Sequence, residues 1–131
     1  GLGDVYKRQD FENYINHRNN TSTTRKEDLT HRFYTLMMDN YREHKEVIFY
    51  ADKLHVSSKY LSEVVKETSG KSPKDWIIDY SLLEIKELLK NSSLNIQEIT
   101  IRTKFLNQSA LGRFFKRHTN MSPSEYREST Y

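Results

Sequence analysis

The sequence predicts an all-α fold of about seven helices, in which a long linking helix joins two helix-turn-helix subdomains. Two observations support this prediction. Residues 58–76 align with residues 108–126 at an offset of 50, so one structural unit occurs twice. Apolar residues recur at the i, i+3, i+4 spacing of helices and never show the extended alternation of strands. Two copies are too few for a solenoid, which needs at least three, and favour two helix-turn-helix units.

The two copies agree at the positions that define a helix and its end. Gly70 and Asn120 stand where a helix ends in the left-handed conformation, and Ser72-Pro73 and Ser122-Pro123 then start new helices. Upstream of residue 57 the offset is 49, which predicts a second turn one residue longer than the first. The apolar positions coincide in three pairs: Leu61 with Leu111, Val64 with Phe114, and Val65 with Phe115.

The helix after Asn107 has two distinct faces. Asn107 is a good N-cap residue, and the outer face of the helix carries no carboxylate. One face is an apolar stripe of Leu111, Phe114, Phe115 and His118. The opposite face holds Ser109, Gly112, Arg113 and Lys116.

The remaining helices follow from capping signals and apolar spacing. Thr24 with Glu27, and Asn95 with Glu98, predict capping boxes. We place the first helix-turn-helix at about 47–70, the linking helix at about 72–90 and the second helix-turn-helix at about 96–119. The helix after Thr24 is expected to bury Leu29, Phe33, Leu36, Met37 and Tyr41. The linking helix is expected to bury Trp76, Ile77, Tyr80, Leu83 and Leu88.

Charge and composition exclude several classes of protein. The 131-residue chain carries a net charge of +3 and has no Cys, which excludes disulfides and thiolate chemistry. The longest apolar run, Val47 to Ala51, is too short to span a membrane, and no secretory signal is visible. We therefore expect a cytoplasmic protein. No histidine spacing, Gly-rich loop or nucleophile motif indicates a metal, a cofactor or an enzyme.

The distribution of charge is more informative than its sum. From Ile99 to Ser124 there is no Asp or Glu, which suggests a polyanionic partner. Short polar side chains followed by Lys and Arg suit a helix that enters the major groove of DNA, where Arg reads guanine and Gln reads adenine. The same segment contains five cations: Arg102, Lys104, Arg113, Lys116 and Arg117.

These residues resemble the C-terminal DNA-binding domain of the AraC/XylS family of bacterial transcription regulators, over about residues 27–128. The strongest motif is residues 107–127, and residues 51–61 look like the first unit. The resemblance implies two homeodomain-like units that read successive major grooves of double-stranded DNA. It also implies RNA polymerase as a partner, and an effector or dimer partner bound through an N-terminal domain absent from this sequence.

Carried over by position, the resemblance implies a set of base-reading residues, and polar and basic residues beside them are expected to contact phosphates. The expected location in the cell is the cytoplasm, with the bacterial nucleoid. The expected base-reading residues are Lys59, Ser62, Glu63, Gln108, Ser109, Gly112 and Arg113. The expected phosphate contacts are Ser57, Ser58, Lys66, Asn107, Lys116 and Arg117.

The chain departs from the family pattern at a few positions. Lys104 replaces the usual glycine in the second turn, where a positive φ would penalise a side chain. Thr103 replaces a leucine, Ser81 replaces an arginine in the linking helix, and Ala110-Leu111 replaces a frequent pair of aromatics. We therefore expect the second turn to pack less well than usual.

Two further interpretations concern the start of the chain and the competing classes of function. Asp4 to Gln9 resembles a translated transposon end used in sequencing libraries, so we interpret residues 1–9 as an artefact, and residues 10–26 as a remnant of an upstream domain and linker. One competing class is a helix-turn-helix module that binds protein without DNA. Another is the DNA-repair methyltransferases with a similar domain, which need an acceptor Cys that this sequence lacks.

Overall fold

The computed structural model describes residues 24–130, which form seven helices and no strand. This confirms the all-α fold with two helix-turn-helix units joined by one long helix. The predictions for residues 1–23 lie outside the described residues. The helices are α1 (Arg25–Asn40), α2 (Val47–Lys53), α3 (Ser58–Ser69), α4 (Pro73–Asn91), α5 (Ile96–Arg102), α6 (Gln108–Thr119) and α7 (Pro123–Glu128).

The first unit contains α1, α2, α3 and the N-terminal half of α4. The Phe33 and Tyr50 rings meet edge to face at 5.5 Å between centroids, which is a favourable aromatic geometry. The Trp76 indole donates a 2.9 Å hydrogen bond to Ser69 Oγ, so α4 is fixed to the end of α3. Large side chains fully buried in this core are Phe33, Met37, Tyr50, Leu61, Val64, Ile77 and Tyr80.

The second unit contains the C-terminal half of α4 with α5, α6 and α7. Its buried core is smaller, and the Phe115 and Tyr126 rings close it at 5.4 Å between centroids. Arg127 Nε donates to the Leu89 carbonyl at 2.9 Å, which ties α7 to the end of α4. The buried core residues are Ile85, Leu89, Ile99, Leu111 and Phe115.

The predicted inner face of α4 was wrong in its second half. Leu83 and Leu88 are only half-buried, whereas the polar residues Ser81 and Glu84 are buried. The helix contributes to the first core as far as Tyr80 and to the second core from Ile85 onward. A single apolar stripe cannot describe a helix that faces two cores in succession. In α1, Leu36 is likewise half-buried rather than buried.

The apolar stripe of α6 also needs correction. Leu111 and Phe115 are fully buried, but Phe114 is half-buried and His118 is exposed. The Phe114 ring lies between Phe105 and His118, with centroids 5.1 and 4.9 Å away. Phe114 therefore covers the side of the core instead of filling it.

The loop after α1 connects the two units. Glu84, with its side chain only 7% exposed, forms an ion pair with Arg42 and accepts a 3.3 Å hydrogen bond from the Tyr41 hydroxyl. Lys45 Nζ donates to the Arg42 and Thr103 carbonyls at 2.6 and 3.3 Å. Burial lowers the pKa of Lys45, although the nearby Glu84 and Glu46 oppose the shift. This loop therefore contacts the middle of α4 and the second turn together.

The two turns have the same backbone geometry. The prediction of a positive φ at Lys104 is confirmed at 64°, and His55, its counterpart at offset 49, has a φ of 60°. Each turn closes on a similar bond, from Val56 N to Ala51 O at 3.0 Å and from Phe105 N to Thr100 O at 3.2 Å. The extra residue of the second turn is Leu106, which is 91% exposed.

The observed helix caps match the caps predicted from the sequence, with one exception. The capping box of Asn95 and Glu98 is confirmed, with both reciprocal bonds present. Thr24 Oγ1 accepts from Glu27 N at 3.1 Å, but Glu27 Oε2 is buried without a partner among the described residues. Only half of that predicted capping box forms.

The two neighbouring phenylalanines of α6 give a test of its packing. We expect Phe115→Ala to lower the free energy of unfolding by roughly 3–5 kcal/mol, because it leaves a cavity in a closed core. Phe114→Ala should cost clearly less, because its ring is partly in water already. Urea unfolding of both variants measures the difference. Equal losses would contradict the assigned orientation of α6.

The strained turns give a second test. Lys104→Gly should raise the free energy of unfolding by about 1 kcal/mol, because a non-glycine residue is strained at positive φ. Gly70→Ala should lower the free energy of unfolding by a similar amount, because Gly70 has a φ of 85°, at which a side chain is strained. An added Cβ there meets nothing within 4 Å, so no steric clash contributes to the loss. A destabilised Lys104→Gly variant in thermal melts would refute the assignment of strain.

Candidate nucleic-acid interface

The outer face of α6 is exposed along most of its length. Because Leu111 and Phe115 point into the core, the opposite side of the helix is directed away from the protein. Gly112, on the same side, is half-buried. The exposed residues of this face and its flanks are Gln108, Ser109, Arg113, Lys116 and Arg117.

Gly112 has no packing reason to be glycine. An added Cβ there meets nothing within 4 Å, and its φ is not in the left-handed region. Glycine inside a helix costs roughly 1 kcal/mol relative to alanine. The fold itself therefore does not account for glycine at this position, and a glycine allows another molecule to approach the backbone closely.

The outer face of α3 corresponds to that of α6. Leu61, Val64 and Val65 are buried on its inner side. Lys59, Glu63 and Lys66 are exposed, while Ser62 is half-buried. Glu67 pairs with Lys26 of α1 at 3.2 Å, so this carboxylate is partly engaged within the protein. The first face thus carries both signs of charge, unlike the acid-free second face.

Both outer helices begin with a capping residue. Ser57 Oγ accepts from Tyr60 N at 3.0 Å, and Asn107 Oδ1 accepts from Ala110 N at 2.8 Å. Ser58, the first residue of α3, is half-buried. The caps use one acceptor each, so the Ser57 hydroxyl proton and the Asn107 amide remain able to donate to an anion. Such donors, together with the helix dipole, favour phosphate at a helix N-terminus.

Two features at the start of α6 were not expected from the sequence. The Gln108 amide donates a 2.8 Å hydrogen bond to Gln97 Oε1, which fixes the Gln108 side chain against α5. Leu106 places an exposed apolar side chain directly before the Asn107 cap. The change of offset from 49 to 50 signalled the extra residue, but no local pattern links Gln97 to Gln108.

Among residues 24–130, no group of three His, Cys, Asp or Glu side chains could hold a metal ion. None of the helices in this part is both long enough and apolar enough to cross a membrane.

Two equivalent helices, each with a buried inner face and an exposed polar face, define a tandem helix-turn-helix protein. The helix-turn-helix domain family matches residues 50–129, which is more than half of the chain. The chain belongs to this family, in its AraC/XylS type.

One curated relative and two solved structures are similar to the chain. The HTH-type transcriptional regulator YobQ of Bacillus subtilis is 32% identical over 77 residues, which are 59% of this chain and 32% of YobQ. The C-terminal domain of AraT, a response regulator from Geobacillus stearothermophilus, superposes with a TM-score of 0.69 at 24% identity, covering 85% of this chain and 93% of that domain. The DNA-binding domain of AdpA, solved in complex with a target DNA, superposes with a TM-score of 0.64 at 23% identity, covering 75% and 88%. The chain spans 28–39% of the length of YobQ and of two other curated relatives, the Msm operon regulatory protein of Streptococcus mutans and the HTH-type regulator YdiP of Escherichia coli.

Gly112 provides a test that needs no ligand. We expect Gly112→Ala to raise the free energy of unfolding by roughly 0.5–1 kcal/mol, because alanine favours the helix and has room there. Chemical denaturation measures the change. A destabilised variant would show that the fold itself requires this glycine.

Proposed function

We propose that this chain is the sequence-specific DNA-binding domain of a bacterial transcription regulator, with α3 and α6 entering two successive major grooves. The observation that carries the proposal is the repetition of one surface, a capped helix with an exposed polar outer face, on two units held by one helix. A repeated reading surface suits a ligand that itself repeats, as DNA does with each helical turn.

The outer residues divide by chemistry into two roles. Arg113 would donate two of its guanidinium N–H groups to guanine, Gln108 would read adenine, and Glu63 would accept from cytosine N4. Gly112 lets the α6 backbone approach the bases. The remaining base-reading residues in the proposal are Lys59, Ser62 and Ser109. The proposed phosphate contacts, which supply affinity without reading sequence, are Ser57, Ser58, Lys66, Asn107, Lys116 and Arg117.

The linking helix α4 sets the distance between the two outer helices, α3 and α6. The 19 residues of α4 span about 28 Å at ~1.5 Å per residue. Successive major grooves on one side of DNA are ~34 Å apart, so the two outer helices are within reach of neighbouring grooves. If the two outer helices lie closer together than the two grooves, bending of the DNA would make up the difference, at a cost of roughly 1–6 kcal/mol.

The second unit is proposed to bind the backbone more strongly than the first. The segment from Ile99 to Ser124 has no carboxylate, whereas Glu63 and Glu67 offset Lys59 and Lys66 on α3. Positive charge on the DNA side contributes affinity through released counterions. The two units would therefore differ in the number of phosphates that each one neutralises.

The regulatory setting belongs to the same proposal. Matched relatives are named as transcriptional regulators, such as the lactose operon transcription activator of Staphylococcus xylosus. By analogy, RNA polymerase would be a partner, and an effector ligand or dimer partner would act through other parts of a longer protein. The chain would then work in the cytoplasm, on the nucleoid. A helix-turn-helix module that binds only protein is the competing reading, and the absence of carboxylates on the second face argues against it.

Arg113 tests the proposal at one residue. After the preferred site is found by selection from random DNA, Arg113→Ala should weaken binding by roughly 1–3 kcal/mol and relax preference at one base pair. Arg32→Ala serves as the control, because Arg32 is an exposed arginine of α1 that is not among the proposed DNA contacts, and this variant should bind as the original chain does.

Three results would change the conclusion. Equal weakening on all sequences would make Arg113 a phosphate contact. Failure of the original chain to select or shift any DNA would refute DNA binding and favour the protein-interaction module. A weakened Arg32→Ala control would show that the loss reflects net charge alone.

A further inference from the structure

A cleft of about 260 Å³ lies between the two units. None of the residues assigned to base reading lines it, whereas Arg117, one of the proposed phosphate contacts, does. Its walls come from three parts of the chain: the loop after α1, the linking helix α4 and the C-terminal half of α6. Neither unit could form it alone. The residues that line the cleft include Lys45, Lys74, Ile78, Ser81, Phe114 and Arg117.

The charges around the cleft have one sign. Lys45, Lys74 and Arg117 line it from three different elements, and none of the described residues that line it is acidic. Glu84, which lies with Lys45 on a small adjoining space, is already engaged by Arg42 and Tyr41. The Lys45 ammonium group already donates to the Arg42 and Thr103 carbonyls. Lys74 and Arg117 line the cleft without an acidic side chain in its lining to balance them.

The Ser81 hydroxyl is the second observation that points to a ligand. Ser81 is 4% exposed, lines the cleft, and has no hydrogen-bond partner among residues 24–130. Other hydroxyls inside these helices bond the carbonyl four residues earlier, as Thr68 does at 2.6 Å and Thr100 at 2.7 Å. A buried hydroxyl without such a bond is unfavourable unless another acceptor satisfies it.

The remaining walls are apolar. Ile78 and the half-buried ring of Phe114 line the cleft beside the polar groups. Small-molecule sites commonly combine such apolar walls with a few convergent polar groups, and their volumes begin at ~300 Å³. The cleft is close to this lower limit, which restricts its ligand to a small molecule.

We propose that this cleft binds a small organic acid, a monocarboxylate with an apolar body. Its carboxylate accepts hydrogen bonds from the Ser81 hydroxyl and from the Lys74 and Arg117 side chains. Its body lies against Ile78 and Phe114. The apolar walls favour an organic acid over a DNA phosphate, which shares the negative charge but has no apolar group to bury beside it.

The test uses the whole 131-residue chain without DNA. Sodium benzoate is titrated into ¹⁵N-labelled protein and backbone amide shifts are followed, with benzyl alcohol as an uncharged probe of similar shape. We expect saturable shifts at Ile78, Ser81 and Phe114 with benzoate, and none of that size with benzyl alcohol. The pattern would show a requirement for the carboxylate.

Two substitutions locate the binding. Ser81→Ala removes only the hydroxyl oxygen, and Lys74→Ala changes an exposed side chain, so thermal melts should show both variants folded. Each should weaken benzoate binding by roughly tenfold, as expected for one lost hydrogen bond to a charged group. Lys53→Ala, an exposed lysine outside the cleft, should bind benzoate unchanged.

Several outcomes would overturn the proposal. Absence of saturable shifts, equal response to benzyl alcohol, or unchanged affinity in folded Ser81→Ala and Lys74→Ala would each do so. If benzoate does not bind while Lys74→Ala weakens DNA binding, the cleft holds a backbone phosphate instead. Because no DNA is present in the benzoate titration, its failure leaves the proposed DNA-binding function untouched.

Discussion

The arrangement of the two units depends on the buried carboxylate of Glu84. It lies in the middle of α4, where the helix leaves one core and enters the other, and it is held by Arg42 and Tyr41 from the end of α1. A buried carboxylate is tolerated only when it is paired, and removal of its partner is costly. The pair therefore fixes the loop after α1 on α4, and Lys45 in that loop reaches the Thr103 carbonyl of the second turn.

Because the loop after α1 contacts both units, the linking helix holds them in a fixed arrangement. Two small cores that shared only a helix could bend relative to one another, whereas a loop that contacts both restricts that bending. Whereas this contact stabilises the arrangement of the two units, the two turns and Gly112 destabilise the fold. His55 and Lys104 at positive φ, and a glycine without crowding, all lower stability. Such costs are expected where a fold serves a binding surface rather than its own packing.

Much of the fold could be predicted because its signals are local. The offset of 49 and then 50 predicted the longer second turn, and the glycine expected at Lys104 predicted a positive φ there. The inner face of α4 could not be read in the same way, because Leu83 and Leu88 fit one continuous stripe while the helix serves two cores. From the sequence alone Glu84 would be predicted to lie on the surface, because its partner Arg42 is 42 residues away in the chain. The same holds for Gln97, which Gln108 contacts across a turn.

The central claim is that two rigidly linked helices read one face of DNA together. It is tested most directly by measuring the affinity of the chain for its selected site after insertion of about five base pairs, half a helical turn, between the two halves. The insertion moves one groove to the far side of the duplex. The account predicts that affinity falls nearly to that of a single half-site. Unchanged affinity would mean that one unit alone engages DNA, and would contradict it.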